Sequence, residues 1–205
     1  MAKLKLTKGE LKRQRDALKQ FKRYLPTLQL KKQQLQLEIL GQNVILQEKN
    51  QAQIKKRQVI DSWIGLLTEL RVNLKPFLKP QKIVTHIKNI AGVDVSVFDA
   101  LEFGPSEYDL FVTPLWVDLA IQSLRELVIL DKEVLMLQEG IVILRQELRI
   151  TTQRVNLFEK VKIPLAEENI RLIKIYIGDK MANAVGRCKI AKRKIEELVL
   201  EEARI

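Results

Sequence analysis

The chain has 205 residues and carries 36 Lys and Arg against 25 Asp and Glu, a formal net charge of +11 at pH 7. Charged residues make up 30% and aromatics only 5%, the balance of long helices, which argues against a compact mixed fold with a large aromatic core. The single cysteine excludes an internal disulfide, no apolar run approaches the ~18 residues that cross a bilayer, and the first ten residues lack the apolar core of a secretory signal, so an intracellular protein is expected.

Residues 4–74 form the first predicted element. Seven-residue steps from Leu4 pass through Leu11, Leu18, Leu25, Lys32, Ile39, Leu46, Gln53, Ile60, Leu67 and Leu74. Three residues on from each lie Thr7, Gln14, Phe21, Leu28, Leu35, Gln42, Lys49, Lys56, Trp63, Leu70 and Phe77. This is a heptad seam, thinner between Gln42 and Lys56, and so narrow a stripe is buried only against another helix. Residues 1–60 hold fifteen Lys and Arg against Glu10, Asp16, Glu38 and Glu48, a balance that equals the whole-chain charge. The basicity therefore falls on the first helix, and such a face meets nucleic-acid phosphates, an anionic membrane or an acidic protein surface. Phe21 and Trp63 sit on the seam, so no stacking platform for bases is evident. The apolar stripe already has a helical partner, so membrane insertion is disfavoured and an acidic protein surface is left by elimination.

Residues 76–114 hold four of the six prolines and break the heptad. Pro76 and Pro80 are expected to end the first helix. Residues 83–90 and 93–98 alternate as strands do, with Ala91-Gly92 as the turn, which predicts a β-hairpin at 87–98, then a loop through Gly104-Pro105. A lone hairpin is marginal in water and must pack on the helices or on another protein. Thr113-Pro114 reads as the cap and first-turn proline of the next helix.

That helix fills residues 115–205. Leu127, Val134, Ile141, Leu148 and Val155 alternate with Leu130, Leu137, Leu144, Thr151 and Phe158. Past Pro164 the stripe slips by one position to Ile170, Ile173, Ile177, Ala184, Cys188, Ala191, Ile195 and Leu198, which predicts a local change of supercoiling and buries Cys188. The predicted fold is mainly α. An elongated antiparallel two-helix coiled coil is formed by residues 1–75 and 115–205, with a small hairpin head, residues 76–114, between them, as one continuous domain.

Chemistry is sparse. Gly178 and Gly186 near Lys189 lack P-loop spacing. His86, the only histidine, has no partner at ligand spacing and reads as a strand surface residue. Glu167-Glu168 and Glu196-Glu197 read as solvated helix charge. The sequence points to no catalytic residue, no cofactor and no metal.

One run is distinctive. Arg154-Val155-Asn156-Leu157-Phe158-Glu159, followed after three residues by Ile163-Pro164, resembles the Arg-Val-Asn-Ala-Leu-Glu…Ile-Pro signature in the second long helix of the D subunit, the central rotor shaft of V-type and archaeal-type ATPases. Residues 87–93, Ile-Lys-Asn-Ile-Ala-Gly-Val, are similar to that family's Asn-x-x-Gly-Val hairpin, and Thr7-Lys8 with Leu11, Leu18, Leu28 and Leu35 fit its opening helix. The chain departs from the family at Tyr24 and Thr27-Leu28-Gln29, where Gly and a Leu-Leu-Lys run are common, and at Pro26, which is expected to kink or reset the first helix.

The resemblance implies a non-catalytic subunit that couples ATP hydrolysis or synthesis to transport of H+ or Na+. Its implied partners are the A and B subunits of the catalytic hexamer, the small F subunit of the stalk and a membrane-rotor adaptor subunit. It implies no nucleic acid and no direct membrane insertion, and a place on the cytoplasmic side of a membrane, peripheral to a membrane-bound complex. On that reading Lys12, Arg13, Arg15, Lys19, Lys22 and Arg23 face the hexamer, and Lys88, Asn89, Gly92, Val93 and Val97 mark the hairpin end. A coiled-coil scaffold and a basic nucleic-acid-binding coiled coil are the other readings of the same pattern.

Overall fold

A computed structural model describes residues 4–65, 74–105 and 113–202. The chain is mainly helical. Helix α1 (Lys8–Asp61) is followed by a 3-10 turn (Lys75–Leu78), strands β1 (Pro80–Ile90) and β2 (Val93–Phe103), helix α2 (Val117–Leu157), a π-helical turn (Phe158–Lys162) and helix α3 (Ile163–Glu202). The chain divides into two compact units, one of Met1–Gln29 with Gln153–Ile205, the other of Leu30–Thr152.

Helix α1 starts where a Thr-x-x-Glu pattern predicts an N-terminus: the Thr7 hydroxyl accepts the Glu10 amide at 3.3 Å. It ends at Asp61, not at Pro76 as the heptad count suggested, and the seam positions Leu67 and Leu70 lie outside the described residues. The stop is local. The Ser62 hydroxyl donates to the Val59 carbonyl at 2.6 Å, and the Trp63 amide donates to Ile60 at 3.1 Å, satisfying carbonyls that a continuing helix would have bonded. Within α1 the heptad reading holds: Leu35, Ile39 and Ile60 are buried, and the remaining described members, from Leu11 to Lys56, are half-buried. Pro26 lies inside α1 without interrupting it.

In the Leu30–Thr152 unit, α1 and α2 run antiparallel, as their ion pairs show. Lys31 meets Glu147 at 2.8 Å, Lys49 meets Glu133 at 2.8 Å, and Lys56 pairs with Glu126. Arg57 and Gln53 both reach Asp131. The thin stretch of the seam between Gln42 and Lys56 is thus flanked by charge pairs.

The hairpin is longer than predicted, with two eleven-residue strands, and its turn is the expected Ala91-Gly92 at φ 51° and 78°. Two left-handed residues in a two-residue loop match the twist of antiparallel strands, and Asn89 fixes the turn by accepting the Gly92 amide at 3.0 Å. It packs on the helices, one of the two outcomes expected of a lone hairpin. Its tip doubles back along them: Ile90 and Val95 are buried in one cluster with Leu35, Ile39 and Leu144, and Ala91, Val93 and Leu148 pack against it. The lengths agree, since eleven strand residues extend about 36 Å and α1 from Leu35 to Asp61 rises about 39 Å. Gly140 makes the close approach possible, because a Cβ there would stand 2.8 Å from Val95 Cγ1.

A second cluster closes the base. Leu74, Val117, Ala120 and Ile121 are buried together, with Trp63, Phe77, Leu78, Trp116 and Leu124 around them. Helix α2 begins at Val117 and not at Pro114, whose carbonyl accepts the Val117 amide at 3.1 Å and so forms the turn that precedes the helix.

Candidate functional site

The charge reading is sharpened by the division into units. Met1–Gln29 with Gln153–Ile205 contains 21 Lys and Arg against 10 Asp and Glu, a balance of +11, so Leu30–Thr152 is neutral, with 15 of each. The terminus-bearing unit therefore carries the entire net charge. The six predicted contact residues, Lys12, Arg13, Arg15, Lys19, Lys22 and Arg23, are all exposed, because they occupy heptad positions other than the seam of Leu11, Leu18, Phe21 and Leu25. Lys22 pairs with Glu167 at 2.7 Å, both more than two-fifths exposed.

A second basic run escaped the sequence reading. Lys180, Arg187, Lys189, Lys192, Arg193 and Lys194 lie on α3 with no acid between Asp179 and Glu196, and all are exposed. Summing charge over residues 61–205 conceals this run behind acids elsewhere. Counting charge in a sliding window would have found it. Among the described residues it makes only loose i,i+4 ion pairs, Lys192 with Glu196 at 3.6 Å and Arg193 with Glu197 at 3.5 Å. From Gly178 to Val199 every side chain is exposed, including the apolar Met181, Val185, Ile195 and Leu198. Cys188 is exposed too, correcting the expectation that its place on the stripe buries it. The stripe continues where, among the described residues, no facing side chain covers it.

The hairpin residues divide by role. Lys88 is exposed, whereas Asn89 and Gly92 are committed to the turn, with Asn89 also bonding Asp94 at 2.5 Å. Val93 packs against the first cluster. Val97 lines a cavity of about 260 Å³ between the hairpin and the helices, walled by Ile45, Ile90, Met136 and Leu144. The predicted tip contacts are therefore in large part what holds the hairpin in shape. On its outer face His86 Nδ1 lies 2.7 Å from Asp99 Oδ1. The register explains this carboxylate, which the sequence did not reveal: Val84 faces Ala100 but Thr85 faces Phe98, so Asp99 is the extra residue of a bulge. Both side chains are about half exposed, so the pair has no enclosed pocket for catalysis.

Arg125 was likewise not legible. It donates from Nε to the Phe77 carbonyl at 3.0 Å and from a terminal nitrogen to the Gly104 carbonyl at 2.9 Å, with its guanidinium 5.0 Å from the Phe103 ring centroid. One planar fork thus ties the 3-10 turn and the end of β2 to α2. A further unread feature lies on the outer face of α1. Leu30, Leu37 and Val44 recur at seven-residue spacing, with Leu40 beside them, and are 58%, 71%, 55% and 63% exposed, respectively. A two-helix seam has no use for them, and contiguous exposed apolar residues mark contact surfaces.

The distinctive run in α2 surrounds the π turn. Val155 is buried at 4% exposure, Arg154, Asn156, Glu159 and Pro164 are exposed, and Ile163 is half-buried. The Ile163 amide bonds the Phe158 carbonyl, an i to i−5 bond that adds one residue to the turn. That extra residue is the one-position slip visible in the heptad.

The family model describing the D subunit of ATP synthase matches residues 10–193. A V-type ATP synthase D subunit from Borreliella burgdorferi is 47% identical over 192 residues, covering 94% of this chain and 95% of its own length. Proteins of the same description from Chlamydia caviae and Chlamydia pneumoniae are 34% and 32% identical over 196 and 197 residues, covering 95% and 94% of this chain and 94% and 93% of their own lengths. With the family model and full-length relatives in agreement, the chain belongs to the D-subunit family of ATP synthases and is a component of a V-type ATP synthase.

Proposed function

We propose that this protein is the rotating central stalk, which passes torque between a catalytic hexamer of A and B subunits and an ion-carrying membrane rotor. The observation that supports this most is the segregation of the whole +11 charge into the terminus-bearing unit. Long-range attraction draws that end toward an acidic ring, while exposed cations such as Arg13 and Lys19 each contribute only about 0–1 kcal/mol per contact. Many weak, non-bidentate contacts allow sliding. The neutral unit, with its hairpin and the outer stripe of Leu30, Leu37, Leu40 and Val44, then meets the small F subunit of the stalk and the membrane-rotor adaptor. Among the described residues no helix is long and apolar enough to cross a membrane, and we place the protein peripherally, on the cytoplasmic side. Hydrolysis and synthesis reside in the hexamer on this reading.

The test is reconstitution with the A, B and F subunits. One copy of this chain should co-purify per hexamer. Reversing Arg13, Arg15, Lys19 and Arg23 to Glu should slow assembly and lower ATPase rate without changing helical content by circular dichroism. A stable homodimer that ignores the hexamer, or a reversed variant that assembles and turns over normally, overturns the proposal.

A further inference from the structure

Two defects in the helical hydrogen-bond ladder lie close together in the terminus-bearing unit, about a turn apart. Pro26, inside α1, has no amide to give the Lys22 carbonyl. On the other helix the chain widens into the π turn at Phe158–Lys162, and Pro164 follows at once, so the carbonyl one turn before it also loses its ordinary donor. The two are brought together by side chains. Phe21, little more than a turn before Pro26, has its ring centroid 5.4 Å from that of Phe158, the first residue of the π turn, and Lys22 bonds Glu167 just beyond Pro164. Two turns upstream of the π turn the Thr151 hydroxyl is buried at 1% exposure and finds no hydrogen-bond partner among the described residues, a further loss of local stabilisation. In sequence, both defects lie near the points, after Gln29 and after Thr152, where the chain passes from one compact unit to the other.

We infer that Pro26 and the Phe158–Lys162 π turn form a paired compliant joint, at which α1 and the α2–α3 helix bend and twist together. A ladder defect in one helix alone would be splinted by the intact neighbour, since each helix is held by the seam it shares. Defects on both helices within so short a stretch weaken the splint on each side. Phe21 and Phe158 couple the two sides through an apolar contact that survives small rotations, and the Lys22–Glu167 pair is exposed enough to break and re-form cheaply. The use of such a joint, storing and releasing twist in a turning stalk, rests on the rotary reading above. Its existence does not.

The test is amide hydrogen exchange of the full chain. Residues 22–30 and 158–166 should exchange about tenfold faster than the mid-helix segments 39–50 and 134–145. Pro26→Ala restores the missing donor and should slow exchange several-fold in 22–30 and also in 158–166, on the helix that the substitution does not touch. Slowing confined to 22–30, or exchange in 158–166 no faster than in the mid-helix segments, overturns the joint. Both results are read without the other subunits, so they are separate from the assembly test of the rotary function.

Discussion

Gly140 and Arg125 are the two residues on which the hairpin's seat depends. Gly140→Val inserts a branched side chain where even a Cβ stands 2.8 Å from Val95 Cγ1. Overpacking of this kind costs about 1–3 kcal/mol, and the loss should appear as a lower urea midpoint, with faster exchange at Ile90 and Val95. Truncating the obstacle in Gly140→Val/Val95→Ala should recover part of it. Arg125→Met keeps the stem but removes the guanidinium hydrogen bonds to the Phe77 and Gly104 carbonyls. Hydrogen bonds to a charged group contribute about 1.5–3 kcal/mol net, and with Arg125 only partly buried we expect a loss of about 2 kcal/mol by urea denaturation. Neither residue stands out in the sequence. A glycine in a heptad helix and an arginine on its flank are ordinary until the hairpin is laid against them.

At the scale of elements, the helices and the turn were legible, and the hairpin's placement was not. Leu11, Leu18, Leu35, Ile39 and Ile60 lie on the seam because a seven-residue repeat keeps one face toward a partner helix whatever else the fold does. Ala91-Gly92 was readable because a two-residue hairpin loop needs positive φ at both positions. The end of α1 is not legible, since prolines after residue 75 dominate the pattern while the actual stop is made by Ser62 and Trp63. Because Ile90 and Val95 are part of the first cluster, deleting residues 89–98 should do more than remove an appendage. Far-UV circular dichroism should keep most of its helical signal, yet the melting temperature should fall by several degrees, as Leu35 and Leu144 lose their cover.

Charge pairs between α1 and α2 should matter less. The hydrogen bond from the Lys56 ammonium holds the Glu126 carboxyl below the usual glutamate range against the opposing effect of burial, with the Lys56 charge and a hydrogen bond from Gln122 adding to the lowering. A carboxyl with a lowered folded pKa stabilises above its unfolded value and loses that contribution as pH falls through the folded one. Lys56→Met should therefore destabilise by no more than about 1 kcal/mol at neutral pH, since both partners are more than two-fifths exposed. The difference from the parent should vanish on the acid side of the glutamate range, as read by thermal melts across pH.

For the whole molecule, the uneven charge gives a prediction that no single residue carries. If the basic unit steers assembly with an acidic hexamer, the association rate should fall steeply between low and physiological salt, while dissociation changes little, because screening acts on approach over a distance of about 8–10 Å. A rate insensitive to salt would assign assembly to apolar contact alone. The sequence by itself determined the helical class, the seam, the hairpin turn, the one-residue slip and the family, because each is written in local spacing or in a contiguous run. Tertiary structure alone decided that the hairpin lies back along the helices, that Asp99 meets His86 through a bulge, that Arg125 ties three segments together, and that Phe21 meets Phe158 at the π turn. Those features join residues far apart in the chain, and their pairing is set by how packed surfaces fit, which no spacing within one segment encodes.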